Sequence, residues 1–406
     1  MGKADRLAVE GGHAVRHVPY PSWPVYDDDE VMAATSVLRS GRVNYWTGEE
    51  GHIFEKEFAS YVGTGYAVAM ANGTVALDSA FRALGIGAGD EVVVTPRTFI
   101  ASASAFILLG AIPVFADVDP DSQNITAETM ARVVTPRTKA VLAVHHAGWP
   151  CEMDPIMDMA RDRCLWVVED SAHAHGALYR GRKTGSFGDV AAFSFCQDKI
   201  MTTAGEGGMV TTGKEEIWSA VWSFKDHGKS FWPAHEKHHP PVFRWLHDSF
   251  GSNYRMTELQ AAIGRIQLKK LDGWLGKRER NARYLSDRLA HVPGLRVVVP
   301  PPHVRHSYYK YYVFLIPEML KDSWDQERII TSVTAEGVPC FSGTCGEIYM
   351  EKAFIDTGLV PRDRLPVAER LSETSLMFPV HPTLETDDLQ DTVMAVEKVM
   401  RHAVRA

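Results

Sequence analysis

The stretch FSFCQDKIMTTAGEGGM, Phe193 to Met209, holds one lysine, Lys199, between an apolar strand-like run and a loop of small residues with three glycines. Burying an unpaired charge is expensive, so such a lysine either reaches for water or is used neutral. VAAFSF (190–195) leads into it and GMVTT (208–212) leaves it, so the segment reads as strand, loop, strand. The glycines at 205, 207 and 208 leave room for a ligand to approach the backbone.

Working outward, five more runs have the same character: YAVAMA (66–71), EVVVTP (91–96), IPVFADV (112–118), AVLAVHH (140–146) and LWVVED (165–170). Helix-length segments such as TVALDSAFRAL (74–84) and MDPIMDMARD (153–162) lie between them. This alternation predicts an α/β layer around a seven-stranded, mostly parallel sheet. Ligands of such sheets bind beyond the carboxyl ends of the strands. After residue 225 the pattern changes. A loop rich in proline, histidine and aromatics precedes a long helix pattern from Arg255, and mixed β and α segments follow. We expect an N-terminal arm (1–29), a large α/β domain (30–254), and a connecting helix with a smaller C-terminal α+β domain (255–406).

Composition sets the outer limits. The chain has 406 residues, of which 45% are hydrophobic and 23% charged, as in ordinary globular proteins. Its net charge of −8 comes from mixed signs, which argues against a nucleic-acid or anionic-membrane binder. ASASAFILLGAIPVFA is too short and too broken to span a bilayer. Five cysteines without a CxxC, and an opening stretch with no continuous apolar run, lead us to expect a reduced, cytoplasmic protein.

Three strand ends carry chemistry. After the first comes Asn72–Gly73–Thr74 opening a helix, which suits a phosphate or is simply an N-cap. After the fifth comes Asp170, able to hold a cationic ring nitrogen or to cap a helix. His173 follows, a ligand contact or a satisfied core histidine. After the sixth come Ser194 and Lys199. Phosphate donors, a carboxylate and a sheltered lysine are what pyridoxal phosphate (PLP) requires, although spacing alone leaves it one choice among several.

The ordered motifs ANGTVAL, LGIGAGDEV, PVFADVDPDSQNI, EDSAHAHGA, GRKTGSFGDVAAFSF, AGEGGMV, DHGKS and SNYRMTELQAAIG give the choice its weight. From about residue 20 to 400 the chain resembles the StrS/DegT group of PLP-dependent sugar aminotransferases, of the aspartate-aminotransferase type I fold. The resemblance implies that Lys199 is the Schiff-base lysine and Asp170 the partner of the pyridine nitrogen. His173 then contacts the ring hydroxyl and Phe99 stacks on the ring. Gly73, Thr74 and Ser194 cradle the phosphate. Asn253 reaches the phosphate of a neighbouring subunit, implying a homodimer with shared active sites. The family also contains dehydratases in which a histidine replaces the lysine; this chain keeps Lys199. The implied reaction moves an amino group from glutamate or glutamine to a keto group, first onto the cofactor (its pyridoxamine form) and then onto a nucleotide-linked keto-deoxyhexose, for surface polysaccharide or related amino-sugar synthesis. PSWPVYDDDE, SAHAHGA and KIMTTAGEGG look closer to the branch holding aminohydroxybenzoate synthases and keto-cyclitol aminotransferases, which stands as the alternative.

Other signals are set aside or left open. His235, Glu236 and His239 match the zincin pattern HExxH, but Pro233, Pro240 and Pro241 argue against the helix it needs, so no metal is expected. GIGAGDE precedes a strand and reads as a helix-ending turn. Cys340 and Cys345 lack further ligands for a metal. His145 and His146 touch substrate or are structural. Arg97 reads a substrate anion or pairs with an acid elsewhere. A transcription factor built on a PLP fold is set aside because no DNA-binding segment is visible before residue 20.

Overall fold

A computed structural model describes residues 6–231 and 246–405, so the HExxH-like segment His235–His239 lies outside the described residues. The sheet strands are β1 (Tyr66–Met70), β2 (Glu91–Val94), β3 (Ile112–Phe115), β4 (Thr138–Val144), β5 (Trp166–Asp170), β8 (Val190–Ser194) and β9 (Gly208–Thr212), with the two-residue strands β6 (Leu178–Tyr179) and β7 (Arg182–Lys183) between β5 and β8. They order as β1-β9-β8-β5-β4-β2-β3, and only β9 runs antiparallel to its neighbours. All seven expected strands form; apart from the edge strand β3, whose alternate residues are half-buried, their β-branched and small apolar residues are buried on both faces. The third stops early. Past Phe115 the chain leaves the sheet, and the Asp117 carboxylate accepts the amides of Val367 and Ala368, both at 3.0 Å.

The five parallel strands β2, β3, β4, β5 and β8 point their carboxyl ends to one edge, and β1, two reversals away from β8, points the same way. That edge therefore gathers Asn72–Gly73, Arg97–Phe99, His145–His146, Asp170–His173 and Ser194–Lys199. Helix Met153–Asp162 coincides with its expected span. The long helix Glu258–Leu289 begins where Thr257 and Gln260 form a reciprocal capping box.

A second antiparallel sheet comprises β10 (Leu295–Arg296), β12 (Tyr311–Leu315) and β13 (Ser375–Phe378), while β11 (Val304–Arg305) pairs with β6. Its apolar side packs with Leu285 and Leu289 of the long helix and Val393 and Val396 of helix Thr386–Ala403. Leu7 joins this same cluster, so the N-terminal arm packs on the C-terminal part of the chain. Glu336, fully buried, anchors it by accepting the amides of Ala8 (2.8 Å) and Val15 (3.1 Å) and pairing with Lys398 Nζ (2.8 Å). Among the described residues no helix is long and apolar enough to cross a membrane.

Removing one partner of a buried, hydrogen-bonded ion pair typically costs about 3–5 kcal/mol. Glu336→Ala is expected to lower the melting temperature and to expose the chain at Arg16 to trypsin, with Glu336→Gln falling between it and the parent. Unchanged stability and an uncut arm would contradict the anchoring role.

Candidate active site at the carboxyl edge of the sheet

Asn72 caps helix Gly73–Ala83 by accepting the Val75 amide at 3.0 Å. The capping and phosphate readings are thus compatible, since the amides of Gly73 and Thr74 begin the helix with no partner within it. The turn lies tight against the neighbouring strands. A β-carbon built on Gly73 falls 2.6 Å from Ser194 Cβ, and one on Gly208 falls 2.4 Å from the Asn72 carbonyl oxygen. Ser194 thereby borders the helix N-terminus, and its Oγ accepts the Cys196 amide at 3.3 Å.

Asp170 ends β5, is 6% exposed, and aligns with Ala192 of β8. Its Oδ1 accepts the Ala172 amide at 3.1 Å and its Oδ2 accepts the Ser102 hydroxyl at 2.7 Å. Ser102 in turn lies 2.7 Å from the Thr98 hydroxyl. Sequence reasoning missed this support, although Thr98 and Ser102, four apart and flanking Phe99, gave a local signal. Glu169, one residue earlier, faces the other side of the sheet. It accepts the amides of Gly185, Phe187 and Gly188, each at 2.7 Å, and pairs with His145 Nε2 at 2.9 Å. Burial pushes its pKa up, yet His145 and these amides outweigh burial and hold it below the usual carboxylate range. His145 Nδ1 accepts the Cys151 amide at 3.0 Å, so its proton sits on Nε2 and its role is structural.

Lys199 Nζ lies 4.8 Å from the centre of the Tyr309 ring, and His173 stacks on that ring at 4.5 Å. Tyr309 comes from the segment before β12, far along the chain, and nothing local to it signalled the contact. The Lys199 carbonyl accepts the Trp23 indole N–H at 2.8 Å, which pins the N-terminal arm over the lysine loop. Phe99 is 63% exposed at this edge. Asn253 is also exposed, in a short run beside the end of β1, where Tyr254 O accepts the Ala71 amide at 2.8 Å.

Buried bases dominate the electrostatics. Desolvation first, then nearby Lys199, drives His173 well below its ordinary value and His175 down to about 3. His146, with neither ring nitrogen partnered, is pushed down by burial and by Arg97, and burial takes His306 to about 3. Arg97 is fully buried; its Nη2 donates to Gln123 Oε1 (2.7 Å) and Ser375 Oγ (3.0 Å), and burial lowers its pKa to about 10. No carboxylate lies within ion-pair distance of it among the described residues.

The arrangement fits the cofactor its chemistry suggested. There is a cradle in which a side chain would fill the phosphate's place, a buried carboxylate fixed by a hydroxyl and an amide, an exposed aromatic ring, and a histidine whose Nδ1 has no partner. A sheet edge furnished in this way defines a PLP-dependent aminotransferase of fold type I. The sequence profile described as the DegT/DnrJ/EryC1/StrS aminotransferase family matches residues 24–397, and the chain belongs to that family. GDP-perosamine synthase of Caulobacter vibrioides is 40% identical over 354 residues, covering 86% of this chain and 89% of that protein. The 3-amino-5-hydroxybenzoate synthase of Amycolatopsis mediterranei is 34% identical, covering 87% and 89%. A crystal structure of an aminotransferase from Psychrobacter cryohalolentis superposes with a TM-score of 0.92 at 52% identity, covering 95% of this chain and 99% of that one.

Histidines held neutral below their unfolded value of about 6.5 stabilise the fold fully above that pH. As pH falls toward the folded values the unfolded chain binds the extra protons, and each such histidine gives up about 1.4 kcal/mol per pH unit. Urea unfolding between about pH 7 and pH 5 should therefore show a steep loss of stability. A flat profile would mean that these four rings are not buried and neutral.

Proposed function

We propose that the chain transfers an amino group from glutamate or glutamine to the keto group of a nucleotide-linked sugar, with Lys199 and Asp170 as catalytic residues. The observation that carries the reading is the meeting of Lys199, Asp170 and the Gly73–Ser194 cradle at one sheet edge. PLP bound there supplies an electron sink next to the substrate carbon. Asp170, locked by Ser102 and Ala172, keeps a proton on the ring nitrogen. Gly73, Thr74 and Ser194 take the phosphate, Phe99 stacks on the ring and His173 meets its hydroxyl. With PLP bound, Lys199 would hold it covalently, and its Nζ would be the group that moves a proton at the substrate carbon.

A nucleotide sugar is preferred as acceptor because GDP-perosamine synthase is 40% identical over most of both chains, against 34% for the aminohydroxybenzoate synthase. A keto-cyclitol or aminobenzoate-type acceptor is the second reading, supported by that latter relative. Exposed Phe99 and Asn253 on this edge are consistent with a homodimer in which Asn253 reaches across to the neighbouring phosphate, and a cytoplasmic enzyme acting on activated sugars suits both. We place the division between large and small domains near residue 254, ahead of the long helix.

Lys199→Ala is expected to abolish turnover and covalent trapping of the cofactor by borohydride; near-normal activity would end the proposal. Asp170→Asn should retain the fold yet lose at least about a hundredfold in turnover, as expected when a positioned charge at the reacting centre is removed. Offering the aminated cofactor form to keto sugars and keto-cyclitols, and following return of the aldehyde absorbance, tests the acceptor. Reaction with free cyclitol ketones alone would overturn the nucleotide-sugar choice.

A further inference from the structure

A cavity of about 260 Å³ opens between the N-terminal arm, the Lys199 loop and the C-terminal sheet, with Trp23, Asp198, Tyr309, Lys310, His381 and Arg278 in its walls. Arg278, from the long helix, is 1% exposed. Its Nη1 donates to the carbonyls of Tyr308 (3.1 Å) and Tyr309 (3.3 Å), whereas Nε and Nη2 have no partner. Those two nitrogens share one edge of the planar guanidinium, and their N–H groups run parallel at the spacing of two carboxylate oxygens. Leaving that fork unmet in a desolvated wall is costly. Stacking on Trp23, 5.3 Å from the ring centre, offsets only part of it.

The surroundings favour an anion. Asp198 is the single acid among the lining residues, and it is engaged by the Tyr309 hydroxyl and, at 3.9 Å, by Lys310 Nζ. That leaves Arg278 and Lys310 facing one carboxylate, with His381 beside them. Arg97 is less suited, because its Nη2 is spent and the free Nε and Nη1 do not form a parallel pair. Size narrows the ligand further: the volume takes an amino acid but falls short of the roughly 300–1,000 Å³ typical for drug-sized ligands, and so of a nucleotide diphosphate. Position supplies the rest. Asp198 directly precedes Lys199, and the Tyr309 ring touches Lys199 on one side and walls this cavity on the other.

We infer that Arg278 is the residue that binds a carboxylate of the amino donor, through its Nε–Nη2 edge, so that the donor's amine faces the Lys199 loop; this rests on the aminotransferase reading above. Calorimetric titration of the cofactor-loaded protein with glutarate, a dicarboxylate with no amine to transfer, tests it. Glutarate should bind saturably to the parent and at least about tenfold more weakly to Arg278→Lys, which keeps the charge and loses the planar fork. The same variant should raise the KM for the donor while leaving that for the acceptor unmoved. Unchanged glutarate affinity, or displacement of glutarate by an equal concentration of inorganic phosphate, overturns the inference. Should Arg278→Lys fail to fold, crystals of the parent grown with glutarate decide: a carboxylate seated on Nε and Nη2 supports it, and glutarate seated elsewhere overturns it. Borohydride trapping at Lys199 reports separately on the cofactor. Intact trapping with no glutarate at Arg278 sinks this inference alone, whereas lost trapping sinks the aminotransferase reading.

Discussion

No side chain fits where the Asn72–Gly73 turn meets Ser194 and Gly208, and the rest of the site is arranged around that close approach. It exists because β9 reverses direction between β8 and β1. The reversal starts β9 at the edge where β1 and β8 end, and so brings Gly208 under the Asn72 carbonyl. Glycine at both positions lets three strand ends close around a helix N-terminus, which alone supplies free amides and a positive dipole end. Asp170, ending the strand next to β8, stands at the same edge.

Charge at this edge is lopsided. Arg97, Arg278, Lys310 and several deeply buried imidazoles stand against few acids, and Asp170 is kept in position by a hydroxyl pair, Thr98 and Ser102. Low polarity keeps the imidazoles neutral, so they act as shape and hydrogen-bonding groups. The arginines remain cations with unmet donors. An edge built in this way prefers ligands that bring negative charge with them, as phosphate, carboxylate and nucleotide-linked substrates all do.

Local pattern was enough for the parallel sheet. Each strand is short, rich in β-branched or small apolar residues and, apart from the edge strand β3, almost wholly buried, and those features are written in consecutive residues. Asp170, Ser194 and Lys199 could be placed at the sheet edge for a related reason, since the first two close strands and Lys199 stands five residues past Ser194. What escaped depends on contacts between distant segments. Glu336 receiving the arm, Trp23 on the Lys199 carbonyl, Tyr309 beneath Lys199 and His173, and Arg278 behind it join residues whose neighbours in sequence say nothing of the partner. The adjacent histidines illustrate the limit: just past the end of β4, His145 pairs with Glu169 while His146, opening a short 3-10 turn, has neither ring nitrogen hydrogen-bonded, a difference that only the packed structure reveals.

The edge strand β1 has one sheet neighbour, β9, and the two come from opposite ends of the large sheet's sequence. Their pairing encloses every intervening strand, so it carries the largest loop-closure penalty of the sheet and falls late in assembly. A nascent or truncated chain that stops short of Thr212 can hold five parallel strands together and still lack the closed turn. The turn at Asn72–Gly73 is in this sense a certificate of completed folding: it closes against Gly208 only in a molecule whose first and last strands have met.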